Sequence, residues 1–389
     1  MSIWSRRHFI ALAVAGAAAS RAVPAMTAPP TTRLHGGDES LDAVARRRGM
    51  RFGSAMAYRQ LSDSGYRDLM RTQCGIMVTE NELKWPHVEP SAGTFTFENG
   101  DALARFAADD HLLLRGHNLL WQKSKYLPDW VRNDPLGPHP RATLERLLRD
   151  HITQEIGHYP QVVSWDVVNE AISTDTGEVR ETLFTRHLGP EAIDLCYHLA
   201  RAAAPRAQLV YNDYMSWESS SEVHRNGVLR FLEGLRKRNV PVDALGVQSH
   251  IGAKSDQVHD IPQEAAWRRF LDEVAAMGYG LLVTEFDVND GGLPGDPARR
   301  DRMLADYARR YLDITLSYRQ LKYVLTWGLV DKDSWLQRLT PRADGTPKRP
   351  LPFDSDYRPK PLCFAMAEAF RAAPGRKVPY SNQRVNSSG

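Results

Sequence analysis

Eight short, mostly apolar runs recur along this chain, and helix-patterned stretches lie between them. The runs are Arg51–Ala57, Ile76–Thr79, Leu112–Gly116, Val162–Val168, Gln208–Tyr211, Ala244–Gln248, Leu281–Thr284 and Tyr323–Thr326. Each has the length of a strand rather than of a core helix. The stretches between them place apolar residues three and four apart. Arg141–His158 carries Leu144, Leu147, Leu148, Ile152 and Ile156 in that spacing. Pro262–Met277 carries Trp267, Phe270, Leu271 and Val274, with Pro262 suited to a helix start and Gly278 to its end. Arg299–Tyr318 and Lys360–Ala372 also read as helices. Strands alternating with helices predict the α/β class with parallel pairing. Eight such units predict a single (β/α)8 TIM barrel, here over residues 41–373. A doubly wound sheet is the rival, but no Gly-x-Gly-x-x-Gly follows the first run.

A barrel gathers the residues at the C-terminal ends of its strands on one face. Those ends are unusually polar and aromatic in this chain. The second carries Glu80, Asn81 and Lys84, followed by Trp85; the third His117 and Trp121; the fourth Asn169 and Glu170. The fifth ends in Asn212-Asp213-Tyr214 and the sixth in Gln248-Ser249-His250. The seventh supplies Glu285 and Asp287, and the eighth Trp327, with Asp331, Ser334 and Trp335 beyond it. Such residues build a poor core and a good lining for a sugar cleft. A Glu at a strand end is, taken alone, usually a solvated acid. Glu170 and Glu285 differ because each follows a buried run and has polar company. Such a pair can cut a glycosidic bond, one acid protonating the leaving oxygen while the other attacks the sugar carbon.

The order of these segments resembles glycoside hydrolase family 10, the endo-β-1,4-xylanases. The runs Trp165-Asp166-Val167-Val168-Asn169-Glu170-Ala171 and Thr284-Glu285-Phe286-Asp287 carry the resemblance, which extends from Phe52-Gly53-Ser54-Ala55 to Pro359-Lys360-Pro361. It implies a retaining enzyme acting on xylan or xylo-oligosaccharides without a cofactor or metal. Glu285 would be the nucleophile, kept ionised by His250, which Asp287 would orient. Glu170 would be the acid/base, with Gln248 and Trp121 beside it. Asn169 would bind the 2-hydroxyl of the sugar under attack, and Lys84 and His117 its 3-hydroxyl side. Glu80 and Asn81 would bind the next sugar, and Trp327 and Trp335 would wall the cleft. Asp213 and Tyr214 are expected behind the site, Asp331 and Ser334 as loop pins. The family pattern Trp-His-x-Gln-x-Pro is broken here: Trp121-Gln122-Lys123-Ser124-Lys125-Tyr126-Leu127-Pro128 lacks the His and delays the proline. This loop is expected to border the glycone side of the cleft, where Lys123 and Lys125 either face solvent or meet an acidic branch of the substrate. Other β-glycans, short oligosaccharides or a non-catalytic glycan-binding role are the alternatives.

Composition excludes other classes. A net charge of +3 over 389 residues, with no basic stripe, gives no support to nucleic-acid binding. Three scattered cysteines, Cys74, Cys196 and Cys363, do not make a disulfide framework, and no His-Glu-x-x-His marks a catalytic metal. The protein is expected to be a monomer. At the N-terminus, Ser5-Arg6-Arg7-His8-Phe9-Ile10 precedes the apolar run Ala11–Ala19. This resembles a bacterial twin-arginine signal peptide over residues 1–25, too short in its apolar part to anchor in a membrane. It predicts export to the periplasm or medium, with cleavage after Ala19 or Ala25 and a flexible segment to residue 40. Residues 374–389 read as a polar tail.

Overall fold

The computed structural model describes residues 40–253 and 262–377. The expected signal peptide, residues 1–25, and the expected flexible segment, residues 26–39, lie outside them. Nine strands occur among the described residues: β1 Arg51–Met56, β2 Ile76–Thr79, β3 Leu113–Trp121, β4 Ser164–Asn169, β5 Gln208–Asp213, β6 Ala244–Val247, β7 His250–Ala253, β8 Gly280–Asp290 and β9 Leu321–Thr326. Every pairing between them is parallel. The order runs from β6 back to β1, then β9, β8 and β7, and a β6–β8 pairing closes the ring. The closed ring contains eight strands, as the alternation predicts. The extra strand, β7, extends the line of β6 after a break at Ser249, whose φ of 63° lies in the left-handed region. Beyond the break His250 pairs with Asp287 of β8.

The expected ends of four strands fall early, β4 and β5 by a residue or two and β3 and β8 by more. β3 continues through Trp121, and β8 continues past Glu285 to Asp290. Glu285 is therefore not at a strand end, because β7 supplies a partner for the outer half of β8. The reason is visible in the alternation of Phe286 and Val288, both buried, with polar neighbours, a strand pattern of period two.

The helical stripes fall as expected. Pro140–His158 buries Leu144, Leu147, Leu148, Ile152 and Ile156, and Glu264–Ala276 buries Trp267, Phe270, Leu271 and Val274. Pro262 does not open the second of these helices; it bridges to Glu218 instead. Gly278 follows that helix with φ 85°, a conformation that costs a glycine least. A small apolar cluster that includes Ile76, Val78, Leu113, Leu282 and Leu325 fills the barrel, and a larger one joins the strands to the helices. Ser40 caps the first helix, its hydroxyl accepting from Ala43 N at 3.2 Å. The start of the expected tail is held down: Arg376 donates from its backbone to Arg48 and from its side chain to Leu316 O. All three cysteines are buried and none forms a disulfide. No helix among the described residues is long and apolar enough to cross a membrane.

Candidate active site

The floor of the site is a buried charge network on β3 and β4. Arg115 Nη2 lies 2.5 Å from Asp166 Oδ1, and His117 Nδ1 lies 2.9 Å from Asp166 Oδ2. Burial pushes the Asp166 carboxyl up, but Arg115 and His117 outweigh it and hold it below its ordinary range. His117 Nε2 in turn sits 3.3 Å from Asn118 Nδ2, so the protein itself orients the ring. Nδ1 also stands 4.0 Å from Glu285 Oε1.

Glu285 projects from the middle of β8, where its N–H donates to Gln248 O at 3.0 Å. Its Oε1 accepts from Asn212 Nδ2 at 2.7 Å. His250 Nε2 stands 3.2 Å from Oε2. The other nitrogen, Nδ1, forms an ion pair with Asp287 Oδ2 at 3.0 Å. That same Asp287 oxygen accepts from Trp335 Nε1 at 2.7 Å. Burial disfavours a charged His250, but Asp287 and Glu285 overcome it and raise its pKa to about 10. The imidazolium then works back on Glu285. Burial would raise Glu285, yet the His250 hydrogen bond and the nearby His117 charge hold it below its ordinary range. Glu285 is thus an ionised carboxylate in a largely dry place, as a nucleophile must be.

Glu170 follows β4 with φ 56°, a left-handed turn in the backbone that is uncommon for a residue with a side chain. Its N–H donates to Asn212 O at 2.8 Å. Gln248 Nε2 donates to its Oε1 at 3.0 Å, and Lys123 Nζ pairs with its Oε2. The two glutamates therefore have different partners: one meets an imidazole and an amide, the other a lysine and an amide. Asn169 Oδ1 accepts from Asn212 Nδ2 at 3.0 Å and Gln248 Nε2 at 3.2 Å.

Asn212 received no role from the sequence, yet it links Asn169 to Glu285. Its own Oδ1 accepts from Thr284 at 2.7 Å. Gly246 makes the room: a Cβ there would meet Asn212 Oδ1 at 2.5 Å. The strand-end position of Asn212 was the available signal. Its side-chain hydrogen-bond partners come from two other strands, β4 and β8, and are not readable from spacing.

On the other side of the cleft, Lys84 Nζ donates to Asn81 Oδ1 at 2.8 Å and lies 4.9 Å from the Trp121 ring centre and 5.7 Å from that of Trp327. Burial pulls the Lys84 pKa down, against the pull of Glu285, Glu80 and Glu170. Glu80 pairs with Arg59 at 3.3 Å. One cleft of about 730 Å³ is lined by every residue assigned to the site except Asp287, which stands behind His250. Among the described residues no three His, Cys, Asp or Glu side chains converge to hold a metal ion.

Several expectations change. Tyr214 is not behind the site but lines it, with Arg180 donating to its hydroxyl at 2.9 Å. Asp213 is buried and bonded to Tyr211 and His224, as expected. Trp85 is packing, stacked on His151 at 4.0 Å between ring centres. Asp331 pins its loop through Leu351 N and Lys360. In the altered segment Gln122 turns away to Thr182, so it does not supply the sugar-binding Gln of the family pattern. Lys123 and Tyr126 enter the cleft instead, Tyr126 stacking on Trp121 at 3.6 Å. Lys125 stays exposed and lies over the Tyr126 ring.

Residues 40–369 match the model of Glycosyl hydrolase family 10. The chain is 30% identical to endo-1,4-beta-xylanase B of Thermotoga neapolitana over 306 residues, 78% of this chain and 82% of the relative. It superposes on native xylanase 10B from Thermotoga maritima with a TM-score of 0.76 and 31% identity, covering 85% of this chain and 98% of that one. Xylanase 10B from Thermotoga petrophila RKU-1, solved in complex with xylobiose, gives a TM-score of 0.76 at 30% identity, with 86% and 97% covered.

Proposed function

Since the chain belongs to glycosyl hydrolase family 10, we propose that it is a retaining endo-1,4-β-xylanase in which Glu285 is the nucleophile and Glu170 the acid/base. The observation that carries the assignment of roles is the asymmetry around the two carboxylates. His250, itself held by Asp287, bonds Glu285 and keeps it charged. Among the described residues Glu170 has no imidazolium partner; its side-chain contacts are Gln248 and Lys123.

In the first step Glu170 gives its proton to the glycosidic oxygen while Glu285 attacks the anomeric carbon, forming a glycosyl-enzyme. In the second, Glu170 takes a proton from water, which displaces the sugar from Glu285. Asn169 and Asn212 hold the attacked sugar's side of the site. The hydrogen bond from Asn169 to the sugar 2-hydroxyl strengthens as positive charge develops on the ring. Trp121, Trp327 and Trp335 offer flat faces to sugar rings, and Lys84, Asn81 and Glu80 offer hydrogen bonds to their hydroxyls. The substrate is xylan or xylo-oligosaccharide, in keeping with the xylobiose held by the Thermotoga petrophila enzyme. Incubation of the purified protein with linear xylan and with β-glucan tests the assignment. Release of short xylo-oligosaccharides supports it; turnover of β-glucan alone overturns it.

The sequence at Ser5 to Ala19 supports export of the folded enzyme by the twin-arginine route to the periplasm or the medium.

A further inference from the structure

The face of the barrel opposite the cleft, where the strands begin, gathers cations from three separate parts of the chain. Arg46, Arg47 and Arg48 stand exposed where the first helix, Leu41–Arg46, runs out ahead of β1. Arg319 and Lys322 lie where the helix Pro297–Thr315 turns into β9. Arg376 and Lys377 follow the last helix, Pro361–Ala372. Only the first group is visible in the sequence as a run; folding brings in the others. Arg376 N donates to Arg48 O at 3.0 Å. Gly49, with φ 73°, lets this segment come close, since a Cβ there would collide with Arg376 O. Arg376 Nη2 donates to Leu316 O at 2.6 Å and to Tyr318 O at 3.0 Å. Arg319 donates to Gly375 O, and Lys322 Nζ to Lys377 O at 2.7 Å. The three parts are thus fastened into one surface.

The fastening uses carbonyl oxygens, which leave the charges uncompensated. Among the described residues Arg46, Arg48, Arg319, Lys322, Arg376 and Lys377 form no ion pair with a carboxylate. Asp42, one helical turn before Arg46, is buried and held by Arg51 at 3.0 Å. Nε and Nη1 of Arg376 are buried without a hydrogen-bond partner. The cations also act on one another. Burial, and then Arg376 and Lys377, pulls the Lys322 pKa down. Burial, and then Arg319, lowers Arg376 to about 10. The whole chain carries only +3, so this excess is local to one face. Like charges held this close repel, and a bound polyanion would relieve the repulsion.

Four of the six are arginines, whose planar forks suit carboxylates and other oxyanions. The large apolar side chains that stand exposed among the described residues are Tyr58, Val223, Met303 and Leu339, and none belongs to the segments 46–48, 319–322 or 376–377. The face therefore offers no wedge for a lipid bilayer and no platform for stacked bases. The proposed substrate is a polysaccharide, so another polysaccharide is what this face meets while the cleft is filled. We propose that the surface formed by Arg46, Arg48, Arg319, Lys322, Arg376 and Lys377 docks an acidic polysaccharide, a polyuronate. The choice of a polysaccharide rests on the xylanase reading. Docking on this side holds the enzyme to an acidic matrix and leaves the cleft, on the opposite side, open to xylan.

Affinity electrophoresis of the purified protein in gels containing polygalacturonate or neutral dextran tests this. Phosphatidylglycerol vesicles and duplex DNA serve as rival probes in sedimentation and gel-shift measurements. The wild-type protein should be retarded by polygalacturonate and not by dextran. Its binding should weaken on the order of tenfold between about 50 and about 200 mM salt. Replacing Arg46, Arg48 and Lys377, all exposed, together by Gln should weaken binding by roughly tenfold and leave xylan hydrolysis unchanged. Replacing Arg105, Arg149 and Arg302, exposed on other helices, together by Gln removes the same charge and should leave binding as in the wild type. No retardation of the wild-type protein at low salt would overturn the proposal. So would equal weakening in the two triple variants, which would make binding a matter of net charge alone. Tighter binding to the vesicles or to DNA than to polygalacturonate would overturn it in favour of lipid or nucleic-acid phosphate. Polygalacturonate binding by a wild-type protein that does not cut xylan would overturn the xylanase reading and leave the docking surface standing.

Discussion

His250 Nε2 lies 3.2 Å from Glu285 Oε2, so the charge state of the nucleophile is set by a histidine on the neighbouring strand. Asp287 holds the opposite ring nitrogen at 3.0 Å, and Trp335 holds Asp287. Replacing His250 by Asn should therefore lower kcat by on the order of 10- to 100-fold while KM changes little, because the lost interaction matters most in the transition state. Steady-state kinetics on xylo-oligosaccharides checks this. A rise in KM alone would make His250 a substrate ligand.

The same contact has a pH signature in stability. The folded pKa of His250 is raised from 6.5 to about 10, so its contribution is fully present below about pH 6.5 and is lost as pH climbs toward 10. Glu285 is shifted the other way, so its contribution is present above the ordinary glutamate range and fades in acid. The difference in melting temperature between wild type and His250→Asn should be largest near pH 6 and should shrink by pH 10. A constant difference across that range would show that the pair is not titrating as described.

The two glutamates should fail in different ways. Glu285→Gln should reduce turnover by on the order of 10⁴-fold or more on every substrate, since no glycosyl-enzyme can form. Glu170→Ala should be impaired by roughly 10²- to 10⁴-fold on xylan yet spared in the first step on aryl glycosides whose leaving group needs no proton. Added azide should then give a β-glycosyl azide, detectable by mass spectrometry and NMR. Loss of aryl glycoside cleavage in both variants alike would contradict the division of roles.

Asn212 donates to Glu285 at 2.7 Å and to Asn169 at 3.0 Å. Asn212→Ala should unfix both and cost on the order of 10- to 100-fold in kcat. Asn212→Asp should be worse, because it sets a second carboxylate against the nucleophile. Comparable kcat in wild type and the Ala variant would reduce Asn212 to a packing residue.

Replacing Arg6 and Arg7 together by Lys should leave precursor in the cytoplasm. Cell fractionation with an activity assay reads this directly. Full periplasmic activity in a strain lacking the folded-protein export route would refute the twin-arginine assignment.

What could be read from the chain follows a physical divide. The eight strands and their helices were legible because burial imposes a local period, as in Leu144 to Ile156 and Trp267 to Val274. Glu170 and Glu285 were legible because each is a carboxylate attached to a buried run. The reach of β8 beyond Glu285 was missed because its pairing partner, β7, exists only after the left-handed break at Ser249. Asn212 was missed because its value lies in contacts across the barrel with residues 43 and 73 positions away. Lys123 was visible as a departure from the family pattern. Its two readings, solvent or substrate, did not include the partner it has, Glu170, since a side chain's direction is set by tertiary packing and not by its neighbours in sequence.

The central claim is double displacement at a β-xylosidic bond by Glu285 and Glu170. Proton NMR of xylohexaose hydrolysis, recorded before the products mutarotate, tests it most directly. The account predicts that the first-formed reducing ends are β-anomers, in keeping with carboxyl groups about 5–5.5 Å apart. First-formed α-anomers would show single displacement by water and would contradict the account.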